Sequence, residues 1–378
     1  MSVSKKKSVL MIVGDPSADM YGAGVIRELK SLHPEINIIG TGGDLMKEAG
    51  LDLMYNVRDM SVIGFFEAFS KGALIRQIRK SILKVIEENN ISAALLVDYP
   101  GFNLYLASIL KSKNIPVIYY ISPQVWAWRS GRIKKIKERV DRMLVILPFE
   151  EELYRNSGVN VSFVGHPLLE IIDEDLKKSE NIIPWKKSGG PVVALMPGSR
   201  KKEIHFLLAD MLKAAEIISA QIPGVSFVLP VAQGLDIKSI EASLPRNIDI
   251  RLTDGRAREV LRNSDFAVIC SGTATLEAAI IGTPFIIIYR LSKLTEFIGR
   301  RFLKIHNWGL VNIVAGKEII PELEQEEVNP VNIASFVVEA LKSPDKLAEM
   351  RNHLSKIRNM LGERVASARV AAVISEYI

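Results

Sequence analysis

The chain has 378 residues, more than the ~250–300 at which a single hydrophobic core stops growing, so two domains are expected. Its hydrophobic content of 48% and charged content of 24% are typical of a well-packed globular protein, and no run approaches the ~18 apolar residues of a membrane span. A net charge of +6 is too small to indicate a nucleic-acid partner, but it favours an anionic lipid surface or a phosphorylated substrate.

The first half of the chain alternates predicted strands and helices. A strand over Ser8–Val13 follows the basic N-terminus without the small-residue cleavage site of a signal peptide. The glycine-rich turn GDPSADMYGAG then leads into a helix that ends near Leu32. The run over Ser92–Asp98 is nearly all apolar, as in a central parallel strand covered on both faces. Further strands are predicted over Asn37–Gly40, Val117–Ile121, Met143–Leu147 and Val161–Val164.

A charged stretch from Gly165 to Gly190 is typical of an inter-domain connection. A second alternating set begins at Pro191, and the sequence after Asn329 has a helical pattern throughout. We therefore predict an α/β protein with two Rossmann-like, doubly wound domains, over 1–168 and 169–345, a nucleotide cleft between them, and C-terminal helices over 346–378. The strands of the second half are predicted over Val192–Met196, Val225–Leu229, Ile248–Leu252, Phe266–Cys270 and Phe285–Tyr289.

Two strand-to-helix turns in the second half have the features of a phosphate-binding site. In CSGTATLE the helix begins near Thr273, where free backbone N–H groups and the positive end of the helix dipole meet. MPGSRKKE repeats the arrangement, with Arg200 placed to hold a phosphate bidentately. Glu277, one turn into its helix, is placed to accept both hydroxyls of a ribose. The alternative is an ordinary helix cap by Ser199, with Arg200 and Glu277 in solvent.

Asp98 ends the apolar central strand, in VDYPGFN. Open α/β sheets place ligand-binding groups at the carboxyl ends of their strands, and a partly desolvated carboxylate suits a general base. The alternative is an Asp that caps the helix after Pro100. The turn at Gly14 lacks the G-x-G-x-x-G spacing, so a nicotinamide or flavin cofactor is not expected.

Metal binding and disulfide formation find little support in the sequence. The five histidines share no ligand spacing with each other or with Cys270, the single cysteine, which suits a reducing compartment. Asp173 to Asp175 spells the Asp-x-Asp of metal-dependent glycosyltransferases, but it lies in the polar connection and is interpreted as a solvated surface run. No metal cofactor is therefore expected.

Three stretches mix apolar and basic residues, as in helices that lie at a lipid interface. They run from Val62 to Ile86, around Trp126 and Trp128, and from Leu291 to Lys304. A helix that faces the core is the alternative. In the first stretch, the apolar helical face is formed by Leu74, Ile78, Ile82 and Val85.

The chain resembles the bacterial lipid-A-disaccharide synthase family over most of its length. The stretches that carry the resemblance are GDPSADMYGAG, VDYPGFN, YYISPQVWAWR, LPFEEELY, FVGHPL, MPGSRKKEI, CSGTATLEAAIIGTP and GLVNIVAGKEIIPELEQEE. The most specific of them is SPQVWAWR, at Ser122–Arg129. Asp15, Ala18 and Gly101 depart from the family's pattern, so no role is assigned to them.

The resemblance implies a GT-B fold and a hexosyltransferase that needs no metal. The implied donor is UDP-2,3-diacylglucosamine and the acceptor is the 6-hydroxyl of 2,3-diacylglucosamine 1-phosphate (lipid X), giving a β-1,6-linked disaccharide 1-phosphate and UDP with inversion. It also implies a peripheral protein on the cytoplasmic face of the inner membrane, without a nucleic-acid partner. The last helices would return to the N-terminal domain or reach the second subunit of a homodimer.

The resemblance assigns Asp98 as the catalytic base. The residues expected to bind UDP are Gly198, Ser199, Arg200, Gly272, Thr273, Ala274, Thr275, Glu277 and Gln325. The residues expected near the acceptor or the cleft are Ser17, Asp19, Asn103, Trp126, Trp128, Arg129, His166 and Asn312. Two alternatives stay open: another GT-B transferase that uses a UDP-N-acetylglucosamine-type donor, and a non-catalytic nucleotide-sugar-binding protein of the same fold.

Overall fold

The structure, a computed structural model, describes residues 6–58, 72–127, 131–178, 189–291 and 307–378. The chain divides into two compact units. Unit 1 comprises residues 1–167 together with 362–378, and unit 2 comprises residues 168–361.

Unit 1 is built on a sheet of seven parallel strands. The sheet has the order β3-β2-β1-β4-β5-β6-β7, so the strand order reverses between β1 and β4. In a doubly wound sheet this reversal opens a crevice at the carboxyl ends of the two strands, and ligands bind there. The strands are β1 Lys7–Val13, β2 Asn37–Gly42, β3 Asp52–Asn56, β4 Asn90–Val97, β5 Val117–Tyr120, β6 Arg142–Val145 and β7 Val161–Phe163.

Helices connect these strands in the first part of unit 1. Pro100 and Pro148 stand at the first positions of two of them, where proline's missing N–H costs no hydrogen bond. The helices are α1 Pro16–Leu32, α2 Asp44–Glu48, α3 Gly72–Glu88, α4 Pro100–Ser112, α5 Arg132–Arg139 and α6 Pro148–Asn156.

Helix α3 contains the apolar face that the sequence offered to a lipid interface. Ile78 and Ile82 of that face are buried in the core of unit 1, and Val85 packs against the same core. The interfacial interpretation of this face is therefore wrong for these three residues, because the sheet already covers them. The side chain of Leu74 and the preceding residues 62–71 lie outside the described residues.

Unit 2 is built on six parallel strands in the order β10-β9-β8-β11-β12-β13. Its strand order reverses between β8 and β11, which are the strands before the two predicted phosphate-binding turns. The strands are β8 Val192–Met196, β9 Ser226–Val231, β10 Ile250–Asp254, β11 Phe266–Cys270, β12 Phe285–Tyr289 and β13 Glu322–Glu324.

The helices of unit 2 begin with a segment that the sequence suggested was a solvated connection. Leu168–Lys178 forms a helix whose residues Leu168, Leu169 and Ile172 are buried. Apolar spacing within a charged segment thus produced an ordinary core-facing helix. The helices are α7 Leu168–Lys178, α8 Lys201–Gln221, α9 Ile237–Ala242, α10 Ala257–Arg262, α11 Thr273–Ile281, α12 Leu310–Ala315, α13 Pro330–Lys342 and α14 Pro344–Met360.

The chain then returns to unit 1 and ends in α15, Ala366–Ser375. This helix packs on α1, where His33 Nε2 and Ser375 Oγ are 2.8 Å apart. Helix α14 stays with unit 2, so the structure divides the predicted segment 346–378 between the two units.

Candidate functional site

A cavity of about 340 Å³ lies at the carboxyl ends of β8, β9 and β11 in unit 2. The structure brings together here seven of the nine residues predicted to bind UDP. They are Gly198, Ser199, Arg200, Gly272, Thr273, Ala274 and Glu277. Parallel strands end at one edge of their sheet, so turns that are about seventy residues apart in sequence meet on one cavity.

The other two predicted UDP residues do not line this cavity. Thr275 is fully buried and its hydroxyl donates to the Gly272 carbonyl at 2.8 Å, so it stabilises the turn. Gln325 follows β13, and its Oε1 accepts the N–H of Leu291 at 3.1 Å. Both side chains therefore have structural contacts instead.

The turn at Gly198 already holds an anion of the protein itself. Glu203 Oε2 accepts the N–H groups of Ser199 at 2.9 Å and Arg200 at 3.1 Å, while its Oε1 accepts Arg200 Nη1 at 2.9 Å. Gly198 has φ +112°, and a Cβ there would lie 2.3 Å from the same carboxylate, so only glycine fits. The cap is thus Glu203 rather than Ser199. The sequence did show its signal, a Glu three residues into the helix.

The turn at Gly272 differs. Helix α11 begins at Thr273, and in the described part of the chain no side-chain hydrogen bond caps its N-terminus. Gly272 and Thr273 are exposed beside the cavity. Backbone N–H groups in this position and the helix dipole both favour a bound anion. Arg200, whose side chain is 82% exposed, is the cation at the other side of the cavity.

Glu277 is held by an arginine that the sequence reasoning missed. Its Oε1 accepts Arg258 Nε at 3.0 Å and Nη2 at 2.7 Å, and both side chains are about 15% exposed or less. Arg258 also donates to Asp175 of α7. Glu174 and Asp175 are exposed, as expected of a solvated run, but Asp173 is only 16% exposed and pairs with Arg358 at 3.3 Å, so that interpretation is wrong for Asp173. No spacing in the sequence connects these residues.

Asp98 lies in unit 1 directly after β4, at the point where the strand order reverses. Burial raises the pKa of Asp98 to about 6, a hydrogen bond from the Tyr99 backbone lowers it, and the charge of Asp15 raises it further. The backbone carbonyl of Asp98 accepts Asn103 Nδ2 at 2.8 Å and the Tyr119 hydroxyl at 2.6 Å. The residue is therefore fixed at the sheet edge with a carboxyl group that titrates near neutral pH.

Backbone strain is concentrated at this edge of the sheet. Asp98 and Tyr99 have φ +46° and +48°, and Ile121, which follows β5, has φ +69°. A residue held at positive φ costs about 1–3 kcal/mol of conformational free energy, and the conformation is especially unusual for a β-branched residue such as Ile121. Such outliers gather at functional sites, so two adjacent strand ends indicate a ligand-binding edge here.

Three of the residues predicted near the acceptor have structural contacts. The Asp19 carboxylate accepts the N–H groups of Gly43, Leu45 and Met46, at 2.7, 3.1 and 3.2 Å, and so caps α2. Asn103 is fully buried and holds the Asp98 loop through its Nδ2. His166 is buried, and desolvation lowers its pKa to about 3, which keeps the imidazole neutral.

Asn312 is likewise buried. Its Nδ2 donates to the Ile320 carbonyl and Glu322, and its Oδ1 accepts the N–H groups of Ile319 and Ile320. The amide is therefore used within its own segment and has no donor left for a substrate. Trp128, Arg129 and the side chain of Ser17 lie outside the described residues, as do residues 292–304 of the third basic stretch.

Trp126 is half-buried in the loop after β5. Its ring packs edge-on against Phe149, with centroids 5.4 Å apart. Its indole Nε1 donates to Glu150 Oε1 at 3.2 Å. Glu150, which the sequence reasoning did not select, belongs to the LPFE stretch at the start of α6.

Two further observations concern the described part of the chain. No group of three or more His, Cys, Asp or Glu side chains there is arranged to hold a metal ion. None of the described helices is long and apolar enough to cross a membrane.

The family model described as lipid-A-disaccharide synthetase matches residues 9–376 of the chain. Lipid-A-disaccharide synthase from Syntrophus aciditrophicus is 43% identical over 370 residues, which cover 97% of both chains. The protein of the same name from Trichlorobacter lovleyi is 38% identical over 376 residues, covering 99% of this chain and 98% of its own length.

Solved structures with low sequence identity share the fold. UDP-GlcNAc 2-epimerase from Neisseria meningitidis, bound to UDP-GlcNAc, matches with a TM-score of 0.69 at 14% identity, covering 98% of this chain and 100% of its own. A glycotransferase of kitacinnamycin matches with a TM-score of 0.65 at 16% identity, covering 99% of each chain. The predicted GT-B fold class is confirmed.

Proposed function

The chain belongs to the lipid-A-disaccharide synthase family and is a glycosyltransferase, and we propose that Asp98 and the unit 2 cavity are the centres of its reaction. In this proposal the unit 2 cavity binds the UDP part of UDP-2,3-diacylglucosamine. Unit 1 binds lipid X. The acceptor 6-oxygen attacks the anomeric carbon of the donor, the bond from that carbon to UDP breaks, and a single displacement inverts the configuration.

Asp98 takes the proton of the acceptor hydroxyl in this proposal. The support is its position at the strand reversal, its strained backbone and a pKa raised to about 6. A base that titrates close to the working pH combines a large ionised fraction with good proton affinity. The observation that carries the catalytic role is the place of Asp98 at the strand reversal, with a carboxyl pKa raised to about 6.

The departing UDP needs positive charge at its diphosphate. Arg200 and the N-terminus of α11 line the unit 2 cavity and would supply it. Glu277 would accept ribose hydroxyls through the oxygen that Arg258 does not use.

Attachment to the cytoplasmic face of the inner membrane forms part of the proposal, because both proposed substrates carry acyl chains. Helix α5 supports it with the exposed lysines Lys134, Lys135 and Lys137, which would favour an anionic lipid surface. A homodimer, in which the last helices meet a second subunit, is also proposed on the resemblance alone.

The test is an assay of the purified protein with UDP-2,3-diacylglucosamine and lipid X in detergent, following both UDP and disaccharide. We expect disaccharide, with and without EDTA. Asp98→Asn should lower turnover by about 10²–10⁴-fold while UDP affinity, measured by calorimetry, is retained. Asp52→Asn, an exposed carboxylate on β3, is the matched control.

Absence of product together with tight UDP binding would support a different acceptor or a binding protein. Wild-type turnover in Asp98→Asn would remove Asp98 as the base. If the wild-type protein did not bind UDP, the assignment of the unit 2 cavity as the UDP-binding site would be contradicted.

A further inference from the structure

The loop from Ser122 to Ala127, here called the Trp126 loop, is fixed by hydrogen bonds to buried polar side chains. Ser122 Oγ lies 2.8 Å from the Tyr154 hydroxyl and donates to the Pro123 carbonyl at 2.8 Å. Trp126 donates its indole N–H to Glu150. Ser122, Glu150 and Tyr154 are all buried, at 7%, 2% and 0% exposure.

This network lies at the same edge of the sheet as Asp98. Asp98 follows β4, the Trp126 loop follows β5, and Glu150 follows β6, and these three strands are neighbours. Tyr119, the next-to-last residue of β5, reaches the Asp98 side of this edge, since its hydroxyl donates to the Asp98 carbonyl at 2.6 Å. Ile121, with φ +69°, directly precedes the loop.

We propose that Glu150 is a positioning residue for the acceptor side of the reaction: its carboxylate fixes the indole of Trp126, and thereby the Trp126 loop, beside Asp98. This inference rests on the proposed function for its kinetic consequence, but the geometry does not depend on it. Burial of a carboxyl group is costly, and hydrogen bonds to the ionised form are what compensate it.

A carboxylate is the group that this position requires. Glu150 Oε1 accepts the indole N–H at 3.2 Å, and Oε2 accepts the N–H of Leu147 at 3.3 Å. Both oxygens therefore face donors. A glutamine would have to turn its own NH₂ towards one of the two N–H groups, so the shape would be kept but one hydrogen bond would be lost.

The protonation state of Glu150 supports the same view. Burial raises the pKa of Glu150 to about 7, while the hydrogen bonds from the Trp126 indole and the Leu147 N–H lower it. The titratable and charged groups around the network are Tyr154 on α6, Tyr119 on β5, Asp98 after β4 and Arg132 at the start of α5. As the pH falls through about 7, Glu150 gains a proton and one of its acceptor positions is lost.

The test combines a spectroscopic readout with kinetics. The chain has four tryptophans, and the indole ¹⁵N–¹H signal of Trp126 can be assigned by its absence in Trp126→Phe. In the wild-type protein we expect this signal to titrate with a midpoint near pH 7. In Glu150→Gln we expect the signal to be displaced and the titration to be absent. Glu152→Gln, an exposed carboxylate on the same helix, should behave as wild type.

The kinetic expectation is a lower kcat/KM for the acceptor, lipid X, with UDP affinity retained. Glu150→Gln and Trp126→Phe should each lower kcat/KM for lipid X by about tenfold or more, mainly through KM, because small misplacements in a site cost this much. UDP affinity should stay within about twofold. Trp126→Phe keeps Glu150 and tests the contact if Glu150→Gln folds poorly.

An unmoved Trp126 signal in Glu150→Gln would overturn the proposal, and so would a moved signal with wild-type kinetics for lipid X. Failure of the wild-type protein to use lipid X would instead contradict the proposed function. The indole titration needs no substrate, so the two failures are distinguishable.

Discussion

At the scale of single residues, the candidate base gains its properties from its neighbours. Asp98 is buried at a strand end, which raises its pKa, and the charge of Asp15 contributes in the same direction. Asp15 occupies a position at which the chain departs from the family's pattern, and the sequence assigned it no role. The fold brings Asp15 near Asp98, although the two residues are 83 positions apart in the chain.

We predict that Asp15→Asn moves the acid limb of the pH–rate profile to lower pH. A neighbouring negative charge disfavours ionisation of Asp98, so its removal lowers the pKa of Asp98 and the base stays ionised at lower pH. The measurement is kcat/KM for the acceptor between pH 4.5 and 8, a range of about one to two units around the expected limb. Asp52→Asn is the control, and an unshifted limb in Asp15→Asn would contradict the prediction.

At the scale of secondary-structure elements, the two phosphate-type turns of unit 2 differ in how the helix N-terminus is capped. Among the residues that the structure describes, no side chain caps the start of α11 beside the cavity, whereas the N-terminus of α8 is capped by Glu203. A diphosphate at Ser199 would therefore compete with this carboxylate. The cap stabilises α8, but its carboxylate occupies the N–H groups of Ser199 and Arg200, which could otherwise bind an anion.

We predict opposite effects of Glu203→Gln on stability and on UDP binding. Loss of the charged cap should lower the free energy of unfolding by about 1 kcal/mol, as for other N-terminal caps. UDP affinity should rise by up to about tenfold, because a negative charge facing the diphosphate is removed. Urea unfolding and calorimetry measure the two effects.

Glu216→Gln, near the other end of α8, provides the control for that pair of measurements. Weaker UDP binding in Glu203→Gln would mean that Glu203 orders the site rather than competing with its ligand.

At the scale of the whole molecule, the chain passes from unit 1 to unit 2 after Pro167 and returns before Gly362. The two passages lie side by side within unit 1: Gly362 has φ +93°, and a Cβ there would lie 3.2 Å from Gly165 Cα. His166 is buried at this place, and desolvation lowers its pKa to about 3. Where the chain re-enters unit 1, Gly362 therefore contacts Gly165, next to the buried, neutral His166.

We predict that His166 makes the protein sensitive to mild acid. Below the unfolded pKa of about 6.5, the unfolded chain binds a proton that the folded protein refuses, so stability falls as the pH falls towards 3. Between pH 7 and 5 the loss should be about 2 kcal/mol. Urea unfolding of His166→Gln should show a smaller loss than wild type over this range.

His205→Gln, an exposed histidine on α8, should keep the wild-type pH dependence of stability. An equal acid loss in wild type and His166→Gln would assign the sensitivity to other groups.

The sequence by itself determined the fold class, the family and the two turns that meet on the unit 2 cavity. These are local properties: apolar runs of strand length, glycines at strand ends and contiguous motifs all lie within a few residues of each other. The strands that it missed, β3 and β13, lie at sheet edges, have at most three apolar residues in a row, and form by pairing with the neighbouring strand.

Only the tertiary structure decided which polar residues line the unit 2 cavity and which hold the protein's own backbone. Asp19, Asn103, Thr275 and Asn312 were assigned to the site by the resemblance, but their hydrogen bonds hold backbone groups nearby. Conversely, Glu150, Glu203 and Arg258 hold predicted site residues in place, although none of the three was itself predicted as a site residue. A side chain's partner depends on which strand ends are neighbours, and neither sheet follows chain order.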